Sequence, residues 1–147
     1  MGTTKAELPN MGISGNGYVI DIENGAETAR LIEQDRLFTH AMGGLLPEQP
    51  DLSSIKRILD IGCGPGGWVN NVAFEYQGIQ VYGIDSNHSM VTYAKAIASV
   101  QGLDNAHFKV MDARNPLDFD DHYFDLVNAR FMAGFLDQAS WPTLLAE

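Results

Sequence analysis

Three carboxylates and a run of glycines hold most of the chemistry this sequence could do. The stretch Arg57-Ile58-Leu59-Asp60-Ile61-Gly62-Cys63-Gly64-Pro65-Gly66-Gly67-Trp68 reads as a short buried strand that enters a glycine-rich turn and then a helix. Glycines at such a turn let the backbone approach a ligand closely. A second apolar run ends in an acid, Tyr82-Gly83-Ile84-Asp85, 23 positions after Gly62. A carboxylate there accepts hydrogen bonds from ribose hydroxyls, and the combination is how an open α/β sheet holds an adenine nucleoside. A third acid, Asp112, ends a further run that begins near Ala106. The pattern points to a nucleoside cofactor.

The surrounding elements must bring these acids together. Strands are expected at about 57–61, 79–84, 106–111 and 124–129, with helices at about 67–77 and 87–101. Gly102 is the natural end of the second of these helices, and Ser86 or Asn87 can open it. The alternation of strand and helix with short links predicts a parallel sheet with covering helices. Right-handed crossovers then put the strand ends bearing Asp60, Asp85 and Asp112 along one edge of that sheet.

Ahead of it, residues 1–17 read as a lead-in rich in glycine and asparagine, followed by Tyr18-Val19-Ile20-Asp21. A helix is expected between about Ala26 and Leu46, with Asn24 as N-cap and Leu31, Phe38, Met42 and Leu45 on one stripe. This divides the chain into a lead-in and helical cap over 1–50 and a sheet domain over 51–147. At the far end Ser140 is expected to open a helix with Pro142 in its first turn. The chain stops two turns later, so we expect a longer protein whose remaining strands would follow. A sheet without them exposes a strand edge, which invites pairing with another chain, including a second copy as a homodimer.

Composition narrows the function. The 147 residues suit one domain. Lys+Arg 9 against Asp+Glu 19 gives a formal charge of -10, and no basic cluster stands out, which disfavours nucleic acid as a partner. No apolar run has the length of a membrane span, and the N-terminus lacks the apolar core of a signal peptide. Met1-Gly2 lacks the Ser or Thr at position 6 that myristoylation wants. A cytoplasmic protein is the expectation. Cys63 is the sole cysteine, and no His lies near it in sequence to activate it. His40, His88, His107 and His122 have no metal-ligand spacing, so no metal is expected.

Asp60-x-Gly62-x-Gly64-x-Gly66 resembles the first motif of class I methyltransferases that use S-adenosylmethionine. Val81–Met90, Lys109–Arg114 and Phe119–Arg130 resemble three further segments of that family, in the same order. The resemblance covers about 52–147. It implies a Rossmann-like, doubly wound, mostly parallel sheet with helices on both faces. It also implies methyl transfer from S-adenosylmethionine, and a small-molecule acceptor is our expectation. By the same resemblance, Gly62, Gly64 and Gly66, with Cys63 between them and Asp60 before them, would lie against the methionine part of the cofactor. Asp85, with Ser86 and Met90 beyond it, would bind the ribose side. Asp112 would meet the adenine amino group, with the Ala113 N–H beside a ring nitrogen. Asn128 and Arg130 would edge the pocket near the methyl donor. Tyr18 and Arg36 of the cap could cover the cofactor or meet its carboxylate.

Blander roles compete with these. Gly62, Gly64 and Gly67 also satisfy G-x-G-x-x-G, so a nicotinamide-dependent oxidoreductase is the alternative. Asp60 ahead of the glycines, Pro65 without an N–H in the turn, and Asp112 all weigh against it. A cofactor-binding fragment without activity of its own is the third reading. Asp60 could serve only to hold the glycine loop. Asp118, Asp120 and Asp121 read as a solvated loop. Phe131, Phe135 and Leu136 follow the fourth strand and are pocket-wall candidates. No catalytic base is assigned, because methyl transfer needs mainly alignment and exclusion of water.

Overall fold

Arg57–Ile61 forms strand β1, and its side-chain alternation sorts the core into two layers. A computed structural model of the chain describes residues 22–134 and 136–146. The lead-in, Tyr18 and Phe135 lie outside the described residues. The other strands are β2 (Gln80–Asp85), β3 (Ala106–Val110) and β4 (Leu126–Ala129), in the order β3-β2-β1-β4, all parallel.

On one face, Ile58, Val81 and Phe108 pack against helices α2 (Gly67–Glu75) and α3 (His88–Gln101) through Val69, Val72, Val91 and Ala94. On the other, Leu59, Ile61 and Ile84 meet Met132, Leu136 and Leu144. Ile58, Leu59, Val81 and Ile84 are at most 1% exposed, and burying each such side chain stabilises the fold by about 1.5–3 kcal/mol.

The two faces are not covered alike. Helices α2 and α3 cover the first. The second is covered by segment 111–125, whose Phe119, Tyr123 and Phe124 gather around Tyr82, and by the short helix α4 (Ser140–Leu145). The Tyr82 and Tyr123 hydroxyls are 2.9 Å apart. Asn115-Pro116 and the acids after it leave this connection no helical period, so rings do the covering.

Local signals place the helix ends. The Asn87 side chain accepts the N–H groups of Ser89 (2.9 Å) and Met90 (3.3 Å), and Gly102 closes α3 at φ 67°. Buried Asn105 donates through Nδ2 to the Ala73 and Ile79 carbonyls, both at 2.9 Å, and so closes α2. The first helix differs from expectation. Helix α1 runs Ile22–Ala41, so Asn24 lies inside it and takes Thr28 Oγ1–H on its carbonyl at 2.8 Å. It stops five residues short of Leu46, because Gly43 and Gly44 adopt φ 91° and 137°. The expected stripe therefore breaks. Phe38 and Met42 are exposed, and Leu45 instead gives its carbonyl to Trp68 Nε1–H at 3.0 Å. At α4 the start is tied by Asp137, whose Oδ1 accepts the Ser140 N–H (2.8 Å) and hydroxyl (2.7 Å). Among the described residues, no helix is long and apolar enough to cross a membrane.

Candidate cofactor site

The carboxyl ends of the strands open into a groove of about 560 Å³, within the usual range for ligand pockets. Its floor is the glycine turn at Gly62 and Gly64, with Asp85, Ser86 and Met90 on one side and Asp112 and Ala113 beyond. Arg130, Phe131, Met132 and Leu136 close the far wall. A smaller cavity of about 70 Å³ adjoins it and reaches Asp60, Cys63 and Pro65. Eight of the twelve sequence-assigned residues thus line the main groove: Gly62, Gly64, Asp85, Ser86, Met90, Asp112, Ala113 and Arg130.

The remaining four sit close by in other roles. Gly66 is buried at φ 78°, and a Cβ there would meet Ala94 Cβ at 2.6 Å and the Phe108 ring at 2.8 Å. Its glycine is demanded by the packing of the turn on α3 and β3. Cys63 points into the core, where Sγ lies 2.9 Å from a notional Cβ on Gly83. Burial pushes its thiol well above the ordinary range, so it is no nucleophile. Asn128 donates through Nδ2 to Asp60 Oδ1 at 2.7 Å. Asp60 is 4% exposed, and that burial pushes its carboxyl up to about 7. The Asn128 hydrogen bond and the Arg130 charge pull it down, while Asp35 and Asp85 push it further up.

Asp85 organises the turn. Its Oδ2 accepts the Gly64 N–H at 2.9 Å and its Oδ1 the Asn87 N–H at 2.8 Å. The Gly64 N–H is therefore already satisfied by the Asp85 carboxylate, which itself lines the groove. This geometry suits a cofactor that presents ribose hydroxyls to Asp85. The Asp112 carboxylate is gripped by Arg114 through its guanidinium (2.6 Å at the shortest) and its backbone N–H (2.9 Å). Those two contacts, the guanidinium first, hold it down at about 2.

The cap contributes more than the sequence showed. Glu27, Arg30, Leu31 and Gln34 of α1 line the groove, as do Asn87 and Met111. Arg36 does not. It is exposed and paired with Glu33 at 2.8 Å. The signal missed was the spacing of positions 27, 30, 31 and 34, which share one helical face. Asp118 pairs with Lys109 on the surface, away from the groove.

The sequence matches the methyltransferase-domain family over residues 58–147, and the chain belongs to that family, the class I methyltransferases that use S-adenosylmethionine. It is 38% identical over 110 residues to the aklanonic acid methyltransferase DauC of Streptomyces sp., covering 71% of this chain and 49% of that protein. It is 48% identical over 73 residues to norajmaline N-methyltransferase of Rauvolfia serpentina, covering 49% of this chain and 24% of that one. PKMT2 from Rickettsia typhi, solved in complex with AdoHcy, superposes with a TM-score of 0.53 at 26% identity, covering 65% of this chain and 19% of that one. The chain thus spans half or less of the length of these relatives.

Proposed function

We propose that this chain serves methyl transfer from S-adenosylmethionine to a small organic acceptor. The observation that carries the reading is the Asp85 carboxylate fixed against the Gly64 N–H at the floor of the groove. When bound, the cofactor supplies a methyl group on a sulfonium, which leaves as a neutral thioether on in-line attack. The chain's own residues position and shield. Asp85 is set to accept from ribose hydroxyls. Met90, Met111 and Ala113 offer apolar walls to a flat base, with Asp112 held beside them by Arg114. Gly62 and Gly64 allow close approach of the backbone. Phe131, Met132 and Leu136 keep water from their side of the groove.

The acceptor class rests on two supports. The names of the two relatives specify aklanonic acid and a nitrogen of norajmaline as acceptors. The chain's charge of -10 opposes a polyanionic substrate. The test is formation of S-adenosylhomocysteine with a panel of acceptors: a phenolic carboxylic acid, a secondary amine, a transfer RNA and a lysine-rich peptide. Turnover with a small acceptor alone is expected. Turnover with only the RNA or the peptide would refute the acceptor class. Cofactor binding with no turnover on any acceptor would favour a binding module. A homodimer belongs to the same reading, and a doubled mass by light scattering would reveal it.

A further inference from the structure

Helix α1 forms the outer wall of the groove, yet little holds it there. From Asn24 onward none of its residues is fully buried. Exposed pairs such as Glu27–Arg30 and Glu33–Arg36 stay within the helix and fasten it to nothing. Among the described residues, polar and aromatic contacts tie it to the sheet domain. Thr28 Oγ1 approaches Met90 Sδ at 3.8 Å, and Phe38 meets Phe131 edge-on at 4.4 Å between ring centroids. The strongest tie is an ion pair. Arg130 donates through Nη2 to Asp35 Oδ1 and through Nη1 to Thr39 Oγ1 at 3.2 Å, while its guanidinium lies over the Trp68 ring at 5.5 Å. Both charged side chains are only 17% exposed.

Two independent features are built around this pair. Arg130 and Phe131 are consecutive, yet both reach α1, which side chains on an extended strand would not do because they alternate. Phe131 breaks the alternation at φ 60°, a strained value for a bulky residue. The second feature is Gly67, the first residue of α2. Its backbone is not left-handed, so conformation does not demand glycine. A Cβ there would meet the tip of the Asp35 side chain, Oδ2, at 2.7 Å, so an added methyl would turn the carboxylate aside. The glycine leaves room for the carboxylate at the start of α2, where a negative charge is favoured.

We propose that Asp35 is the positioning residue of the cofactor groove: by gripping Arg130 it fastens α1 over the glycine turn, and thereby holds Glu27, Arg30, Leu31 and Gln34 as the groove's outer wall. Arg130 then acts as a structural clasp at the reactive end of the groove. The inference rests on the reading of the groove as the cofactor site, and its test separates the two.

Amide hydrogen exchange on the ligand-free chain reads the clasp directly. Asp35→Ala is expected to speed exchange across α1 by about tenfold or more and leave β1 and β2 unchanged. Gly67→Ala, which turns the Asp35 carboxylate aside without altering any charge, should give a smaller rise in the same helix, although alanine favours a helix over glycine. In the Asp35→Ala/Arg130→Ala pair, α1 should exchange no faster than in the worse single variant, because both remove one interaction. Affinity for S-adenosylhomocysteine should fall by about tenfold or more in each single variant. Exchange of α1 within about twofold of wild type in Asp35→Ala would overturn the clasp, as would an equal rise in α1, β1 and β2. Failure of the wild-type chain to bind S-adenosylhomocysteine would instead overturn the cofactor reading, and exchange would still decide the clasp.

Discussion

The glycine turn and helix α1 face each other across the same groove and are held by different physics. The turn is fixed from beneath by dry packing. Gly66 leaves no room for a methyl group against Ala94 and Phe108, and Gly83 leaves none against Cys63. Its backbone is tied through Cys63 N–H to the Ile84 carbonyl at 2.9 Å and through Gly64 N–H to Asp85. Helix α1 is held from the side by a few polar and aromatic contacts around Arg130. Close packing permits no small adjustment, whereas a handful of side-chain contacts can be lost one at a time. The floor of this site is therefore rigid, and its wall is the part that sequence changes can loosen.

The comparison breaks most sharply at Gly66. Gly66→Ala adds a methyl at 2.6 Å from Ala94 Cβ and at a left-handed φ of 78°. Overpacking and backbone strain together should cost about 2–5 kcal/mol of stability, read by urea unfolding. A loss near zero would mean that the turn is as yielding as the cap.

Asp60 offers the next largest effect. Folding raises its carboxyl from the ordinary range to about 7, so the folded chain holds that proton more tightly than the unfolded one. Its contribution is complete in acid, falls as pH rises from about 4 to about 7, and levels off above, with a slope of at most about 1.4 kcal/mol per pH unit. Asp60→Asn keeps an oxygen for Asn128 and should abolish that slope in unfolding measured from pH 4 to 8. A variant with the wild-type pH profile would place the titration elsewhere.

Asp85→Ala removes the acceptor for the Gly64 and Asn87 N–H groups and the expected partner of the ribose. Losing charged hydrogen bonds of this kind should weaken S-adenosylhomocysteine binding by about 100-fold, with the sheet intact by circular dichroism. Unchanged affinity would remove Asp85 from the site. The smallest effect is on the cap's outer face. Glu33→Gln breaks an exposed pair with Arg36 and should leave both melting temperature and affinity unchanged. A clear loss there would mean that α1 is fastened by its surface and not by Arg130.

The floor was legible in the sequence because its rules are short-range. Strand alternation at 57–61, the glycines after it, the acid at Asp85 and the Asn87 and Gly102 ends of α3 each act within a few residues. The wall was not. Nothing local links Asp35 to Arg130 or Thr28 to Met90, which meet only after the sheet has formed. The stripe drawn through Leu31, Phe38, Met42 and Leu45 assumed a helix that buries an apolar face. From Asn24 onward this one has no fully buried residue, and Gly43 and Gly44 end it early. Gly66 was assigned to the ligand because glycine in such a turn serves approach or packing equally well, and only the neighbours Ala94 and Phe108 decide between them.

The most direct test of the account is calorimetric titration of the chain with S-adenosylhomocysteine, with NADH as the control. Binding of S-adenosylhomocysteine with a Kd of about micromolar, and none of NADH, is the result predicted for a member of this family whose groove presents Asp85 to the ribose. Binding of NADH without S-adenosylhomocysteine would contradict it.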